Sequence, residues 1–273
     1  MNDSTAHSET TETIGTTEGT VTKAPGPVPQ VRQVGLAAPF RWLARGARDV
    51  GANPGIALFY GLCFWAMAAL LGVVFRNRPE YTMTLVSGCV LVGPFLAMGL
   101  YEVSRRREQG EPASLGASLT CWDRHLGSMG MLVLVLTVLE LIWGRASLVV
   151  FAVFFDTGMP STASVLQAVF NPRNWQFLGV YLVVGGVFAA VVFCTTVVSI
   201  PMILDRDLDA ITAGLTSFRV VLENTATLLL WGAIVVALTL LALWPWALGI
   251  LVVGPWLGHA TWHAYRDTVA WDS

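Results

Sequence analysis

Charge is scarce in this chain. Only 12% of its 273 residues are charged and 55% are hydrophobic, where a soluble domain carries about 25% charged residues. The polar surface needed to cover a water-soluble globule is missing. Cysteine is scarce too: Cys63, Cys89, Cys121 and Cys194 stand singly, with no CxxC. They read as four free thiols acting as small core residues. A basic region followed by an apolar core is lacking at the start, so no signal peptide is expected there. The net charge is −2 with no basic stripe, which gives nucleic acid nothing to bind. No HExxH and no GxSxG occurs, so metallopeptidase and hydrolase chemistry have no motif to rest on.

Long apolar runs are what the chain has. Six are long enough to cross a bilayer, a task that takes roughly 17–25 residues. They cover about 56–75, 82–103, 128–148, 177–200, 226–243 and 246–264, and the mean hydropathy of the whole chain is +0.63. Residues 1–38 differ. They are Ser/Thr/Glu-rich, then Pro-rich, and read as a disordered cytoplasmic tail. The expected domains are thus this tail and a six-span membrane domain over 39–269.

Basic residues set the orientation. With the N-terminus inside, twelve Lys and Arg residues fall in inner segments. Four fall outside, at Arg76, Arg78, Arg145 and Arg173. Both termini are therefore expected in the cytoplasm of a bacterium, with the protein in its inner membrane. Trp175 and the pair Trp244 and Trp246 suit an outer aromatic belt, and Pro245 predicts a tight turn that makes spans five and six a hairpin.

A threefold pattern runs through the chain. Short helical periodicities precede spans one, three and five. Phe40, Leu43, Ala44, Ala47 and Val50 share one face; so do Leu115, Leu119, Trp122 and Leu126; so do Leu208, Ile211, Leu215, Phe218 and Leu222. Asn53, Ser128 and Asn224 are cap types at the following span starts, with Pro54 in a first turn. "VGPFLAMGLYEVSRR" (92–106) aligns without a gap to "VGPWLGHATWHAYRD" (253–267), matching Pro94 to Pro255, Glu102 to His263 and Arg105 to Arg266. The expected fold is an all-α integral membrane protein. Its six transmembrane helices form three parallel repeats of interfacial helix plus hairpin, with units at about 39–107, 111–206 and 207–267.

"GHATWHAYRD", "PMILDRDLDA", "VGPFLAMGLYEVSRR" and "WGRASLVVFAVFF" resemble the signature stretches of a bacterial membrane family, domain of unknown function 2189. The resemblance extends over roughly residues 40–269 and implies a multi-pass membrane protein with no activity attached. Some members carry the label of a cytochrome c oxidase subunit. Four histidines, His7, His125, His259 and His263, are too few to ligate the haems and copper of an oxidase core.

Three constellations remain. His259 and His263 are four apart, hence on one helical face, and Glu102 is their matched carboxylate. The trio has donor types that zinc or iron accept. Without further ligands a polar lock between helix ends, His263 with Glu102, is the better reading, and no haem, metal or other cofactor is expected. Glu140 is an acid at membrane depth, which marks function by default; Arg145 lies near it in sequence but about 140° away around the helix. In "LDRDLDA", Asp205, Arg206, Asp207 and Asp209 could draw a cation. Asp207 reads instead as a helix cap, Asp209 as a complement to the helix dipole, and Arg206, like Arg266, as a cytoplasmic-side charge. The expected function is non-catalytic: handling of a small solute or lipid, or support of a membrane complex. The alternative is a metal- or haem-binding redox protein using His259 and His263. The bilayer is the expected partner, with a membrane protein or a second copy of the chain beside it.

Overall fold

The sixth apolar run is the least apolar, and it sits at the centre. A computed structural model describes residues 29–78, 81–155 and 174–271. The order is β1 (Pro29–Val31), α1 (Ala38–Ala52), α2 (Pro54–Asn77), α3 (Thr82–Glu108) and α4 (Leu115–Thr120), then a 3-10 turn at Asp123–His125 and α5 (Leu126–Phe154). After them come α6 (Trp175–Thr196), α7 (Ser199–Arg206), α8 (Ala210–Glu223), α9 (Thr225–Ala242), α10 (Ile250–Thr268) and β2 (Val269–Trp271). Five long apolar helices match five of the expected spans: Pro54–Asn77, Thr82–Glu108, Leu115–Phe154, Trp175–Arg206 and Thr225–Ala242. α10, over the sixth expected run, is too polar in its second half to count with these five. That half carries His259, His263, Arg266 and Asp267.

Burial explains the polarity of α10. Pro255, His259, Ala260, Trp262, His263, Ala264, Tyr265 and Thr268 are all buried, against α1, α2, α3 and α9. A helix enclosed by protein can carry polar groups that lipid would reject. Small residues allow the enclosure. A Cβ on Gly46 of α1 would come 2.8 Å from the Ala260 backbone nitrogen, and one on Gly61 of α2 would come 2.1 Å from the Leu251 carbonyl oxygen. Only glycine lets these backbones approach so closely. Pro94 and Pro255 lie inside α3 and α10, both buried.

The short helices pack with the opposite face from the one their large apolar residues suggest. On α1, Trp42, Gly46 and Asp49 are buried while Phe40 is 59% exposed. On α8, Ala210, Ala213, Thr216, Ser217, Val220 and Val221 are buried, and Ile211, Leu215, Phe218 and Leu222 are exposed. Lipid is as apolar as leucine, so small and hydrogen-bonding residues take the helix contacts and large apolar ones face out.

The fold is all-helical as expected, with one small sheet beside the helices. β1 pairs antiparallel with β2, Pro29 opposite Trp271 and Val31 opposite Val269. The tail expected over 1–38 lies, as far as residue 28, outside the described residues. From Pro29 on it is bound: the Val34 amide donates to the Asn224 side chain at 2.8 Å, and the Asn224 amide donates to the Arg32 carbonyl at 3.1 Å. Asn224 is thereby drawn away from capping α9, which has no side-chain cap. Asn53 caps nothing either, although Pro54 does open α2, and Ser128 falls inside α5 rather than before it. Arg173 is outside the described residues.

Candidate functional site

Two polar places stand out in an apolar bundle. The first joins α1, α3 and α10. Asp49, 5% exposed, accepts from three donors at once. Its Oδ2 accepts from the Ser104 hydroxyl at 2.6 Å and from His263 Nε2 at 2.9 Å. Its Oδ1 accepts from Arg107 at 2.5 Å. Burial alone would raise the Asp49 carboxyl; the hydrogen bonds from His263 and Ser104 and the charge of His263 outweigh it and hold the group below its ordinary value.

The hydroxyl fixes a tautomer. Ser104 has one hydrogen and gives it to Asp49. His259 Nδ1, 2.8 Å from the same hydroxyl oxygen, must then be the donor in that contact. His259 Nε2 is left as a lone pair, fully buried and without a partner. On its far side His263 faces Glu108 at 3.4 Å, and Glu108 in turn holds Arg266 at 3.1 Å. The chain of contacts runs from a sealed interior to a partly exposed carboxylate.

The expected lock of His263 with Glu102 is not formed. His263 takes Asp49 and Glu108 instead. Glu102, 2% exposed, is held by Arg105 at 2.7 Å and by Arg106 at 2.7 Å on its own helix. The candidate metal trio is therefore not brought together, and among the described residues no three His, Cys, Asp or Glu side chains group as metal ligands would. Sequence reasoning missed Asp49, Ser104 and Glu108. A signal for Asp49 existed: an acid on a short helix, on the same face as Trp42 and Gly46 at helical spacing.

The "LDRDLDA" residues divide between two jobs. Asp205 accepts from the Tyr265 hydroxyl at 2.6 Å and lies 3.6 Å from Arg266. Arg206 lies 3.5 Å from Asp205 and stacks over Trp271 at 5.2 Å. Asp209, not Asp207, caps α8: its side chain accepts from the Thr212 amide at 2.9 Å, which lowers its pKa. Asp207 ends α7 in a left-handed conformation and pairs with buried His125 at 2.9 Å.

The second polar place is a cleft of about 620 Å³ between α2, α3, α5 and α6. Leu71, Val86, Val90, Leu136, Phe188 and Val192 are among its walls, Pro94 interrupts one of them, and Glu140 is the charged group in the lining. Glu140 Oε2 accepts from the Ser87 hydroxyl at 2.8 Å; Oε1 is buried and has no partner. Arg145 is exposed and does not reach it, as the angle between them around the helix requires. The arrangement is a membrane-depth pocket with an acceptor that the protein leaves open.

No curated protein and no solved structure matches the chain. The family match is narrower than the stretch of resemblance: "VGPFLAMGLYEVSRR" and "WGRASLVVFAVFF" lie within it, "GHATWHAYRD" does not. Residues 82–205, from the first turn of α3 almost to the end of α7, match the family described as predicted integral membrane protein, domain of unknown function 2189, and this is an integral membrane protein whose central segment has that family's pattern.

Proposed function

We propose that the protein is a non-catalytic, six-span component of a bacterial inner membrane that holds a small amphipathic molecule or a lipid chain in the cleft between α2, α3, α5 and α6. The observation that carries this reading is the cleft itself. It is about 620 Å³, within the range of small-molecule pockets of roughly 300–1,000 Å³, and nearly all its walls are apolar. One acid, Glu140, stands in it with an open oxygen. An ionisable group at membrane depth is costly and is retained for function.

The six-span topology has its own support. β1 precedes every described helix and β2 follows them all, and the two are hydrogen-bonded. A chain whose two ends meet on one side of a bilayer has crossed it an even number of times. Five apolar helices plus α10 make six. The twelve-to-four basic bias puts that side in the cytoplasm. The ungapped match of 92–106 to 253–267, with an internal proline at Pro94 and Pro255 in both helices, supports the reading of three parallel units. The exposed apolar faces of α1 and α8 then rest in the cytoplasmic leaflet.

Mass spectrometry of the purified protein tests the function. A lipid or solute is expected to co-purify in a defined ratio and to be lost in Gly185→Leu, which fills the cleft. An empty wild-type protein, or retention unchanged by that substitution, counts against the reading. For topology, single cysteines at 81 and 111 in a cysteine-free background should be reached by an impermeant reagent from outside and from inside, respectively. The reverse pattern would invert the orientation.

A further inference from the structure

Which molecule fits the cleft follows from what its walls lack. We infer that the ligand is a lipophilic organic cation, an ammonium or phosphonium group on an apolar body, with Glu140 as its counter-charge. The inference rests on the cleft being a binding site and goes on to name the chemistry bound.

Four observations converge. Glu140 is the charged lining residue; among the described residues no Lys, Arg or His lines the cleft beside it. Among the described residues it has no ion-pair partner, and its Oε1 is buried and unsatisfied. A carboxylate in low dielectric needs a positive charge nearby, and the described residues supply none. The second observation is the aromatic wall. Trp143 and Phe188 line the cleft with ring centroids 5.6 Å apart, tilted 50°. Tryptophan is the best of the side chains that attract a cation to a π face. The third is backbone. Pro94 has no N–H to give the carbonyl of Val90 four residues earlier, and both residues line the cleft. The cleft wall thus loses a donor at Pro94. The fourth is fit at Gly185: a Cβ there would come 3.0 Å from the Trp143 ring, so the glycine leaves the indole its position. Carboxylate and π faces are both electron-rich, and an anion would meet repulsion from each.

The test uses the whole protein in phosphatidylcholine nanodiscs and two probes of similar shape, cationic tetraphenylphosphonium and neutral triphenylphosphine oxide. Equilibrium dialysis should show saturable binding of the cation at one site. Glu140→Gln should weaken it by about tenfold or more, the scale of one lost desolvated charge contact; Glu140→Asp should keep part of it. Gly185→Leu should remove it, and the elution profile and thermal midpoint of each variant report whether it has folded. Equal binding of both probes, or cation binding indifferent to Glu140→Gln, overturns the charge assignment and leaves the cleft as an apolar site. Binding of neither probe, with no co-purifying molecule, overturns the cleft reading as well.

Discussion

Asp49 and Glu140 are both carboxylates in an apolar bundle, and they are kept in opposite conditions. Asp49 has three donors from two other helices. Glu140 has one, and one of its oxygens faces nothing. A saturated acid holds helices together, because each donor it loses becomes a buried polar group without a partner. An acid left half open joins one neighbour, Ser87, and keeps an oxygen free, which is why the proposed ligand is placed there. The difference separates a structural centre from a candidate binding site more sharply than burial does.

The largest effect is expected at the saturated acid. Asp49→Ala leaves His263, Ser104 and Arg107 without their acceptor. Removing one partner of a buried ion pair costs about 3–5 kcal/mol, somewhat less here because Arg107 is 39% exposed. Thermal unfolding in detergent should register a loss of that order, and it should be non-additive with His263→Ala. Gly61→Val comes next. Its side chain meets the Leu251 carbonyl, and overpacking of that kind costs about 1–3 kcal/mol; a variant as stable as wild type would mean that α2 and α10 are not in contact. Asn224→Ala should cost about 1–2 kcal/mol, since it removes hydrogen bonds to the backbone of Arg32 and Val34, and proteolysis before residue 38 should quicken.

Low pH acts on the two carboxylates differently. The Asp49 carboxyl is held below its ordinary value, so its contribution is present at neutral pH and is lost as pH falls below the usual carboxylate range and through the folded-state value. A stability profile should show this acid loss in wild type and not in Asp49→Asn. The smallest effect belongs to the other acid. Glu140→Gln should change the thermal midpoint of ligand-free protein by no more than about 0.5 kcal/mol, and a large loss would place Glu140 among the structural residues after all.

What could be read in the sequence follows the same division. The five apolar helices were legible, because length and hydropathy alone define them. So was Glu140, since one acid in "MLVLVLTVLELIW" is conspicuous. The partner of His263 was not. The alignment of 92–106 with 253–267 suggested Glu102, yet helix neighbours three and four residues away, Arg105 and Arg106, claim that carboxylate first. Asp49 is 214 residues from His263, and only the packing of α1 on α10 brings them together. The buried faces of α1 and α8 were hidden for a different reason. Periodicity finds the stripe of large apolar residues, and in a bilayer that stripe marks lipid as readily as core. The sheet was invisible because two three-residue strands leave almost no pattern.

The placement of α10 bears on how the molecule is assembled in time. It is the last made of the described helices and the one around which α1, α2, α3 and α9 gather. Until it leaves the ribosome, Gly46 and Gly61 line an unfilled slot and Asp49 lacks its imidazole. The first helices must therefore wait in the bilayer half-assembled, with their polar groups toward an absent neighbour. Folding here is closed by its final piece rather than built outward from its first, and a chain arrested before residue 250 would present the membrane with an open acidic seam for quality control to find.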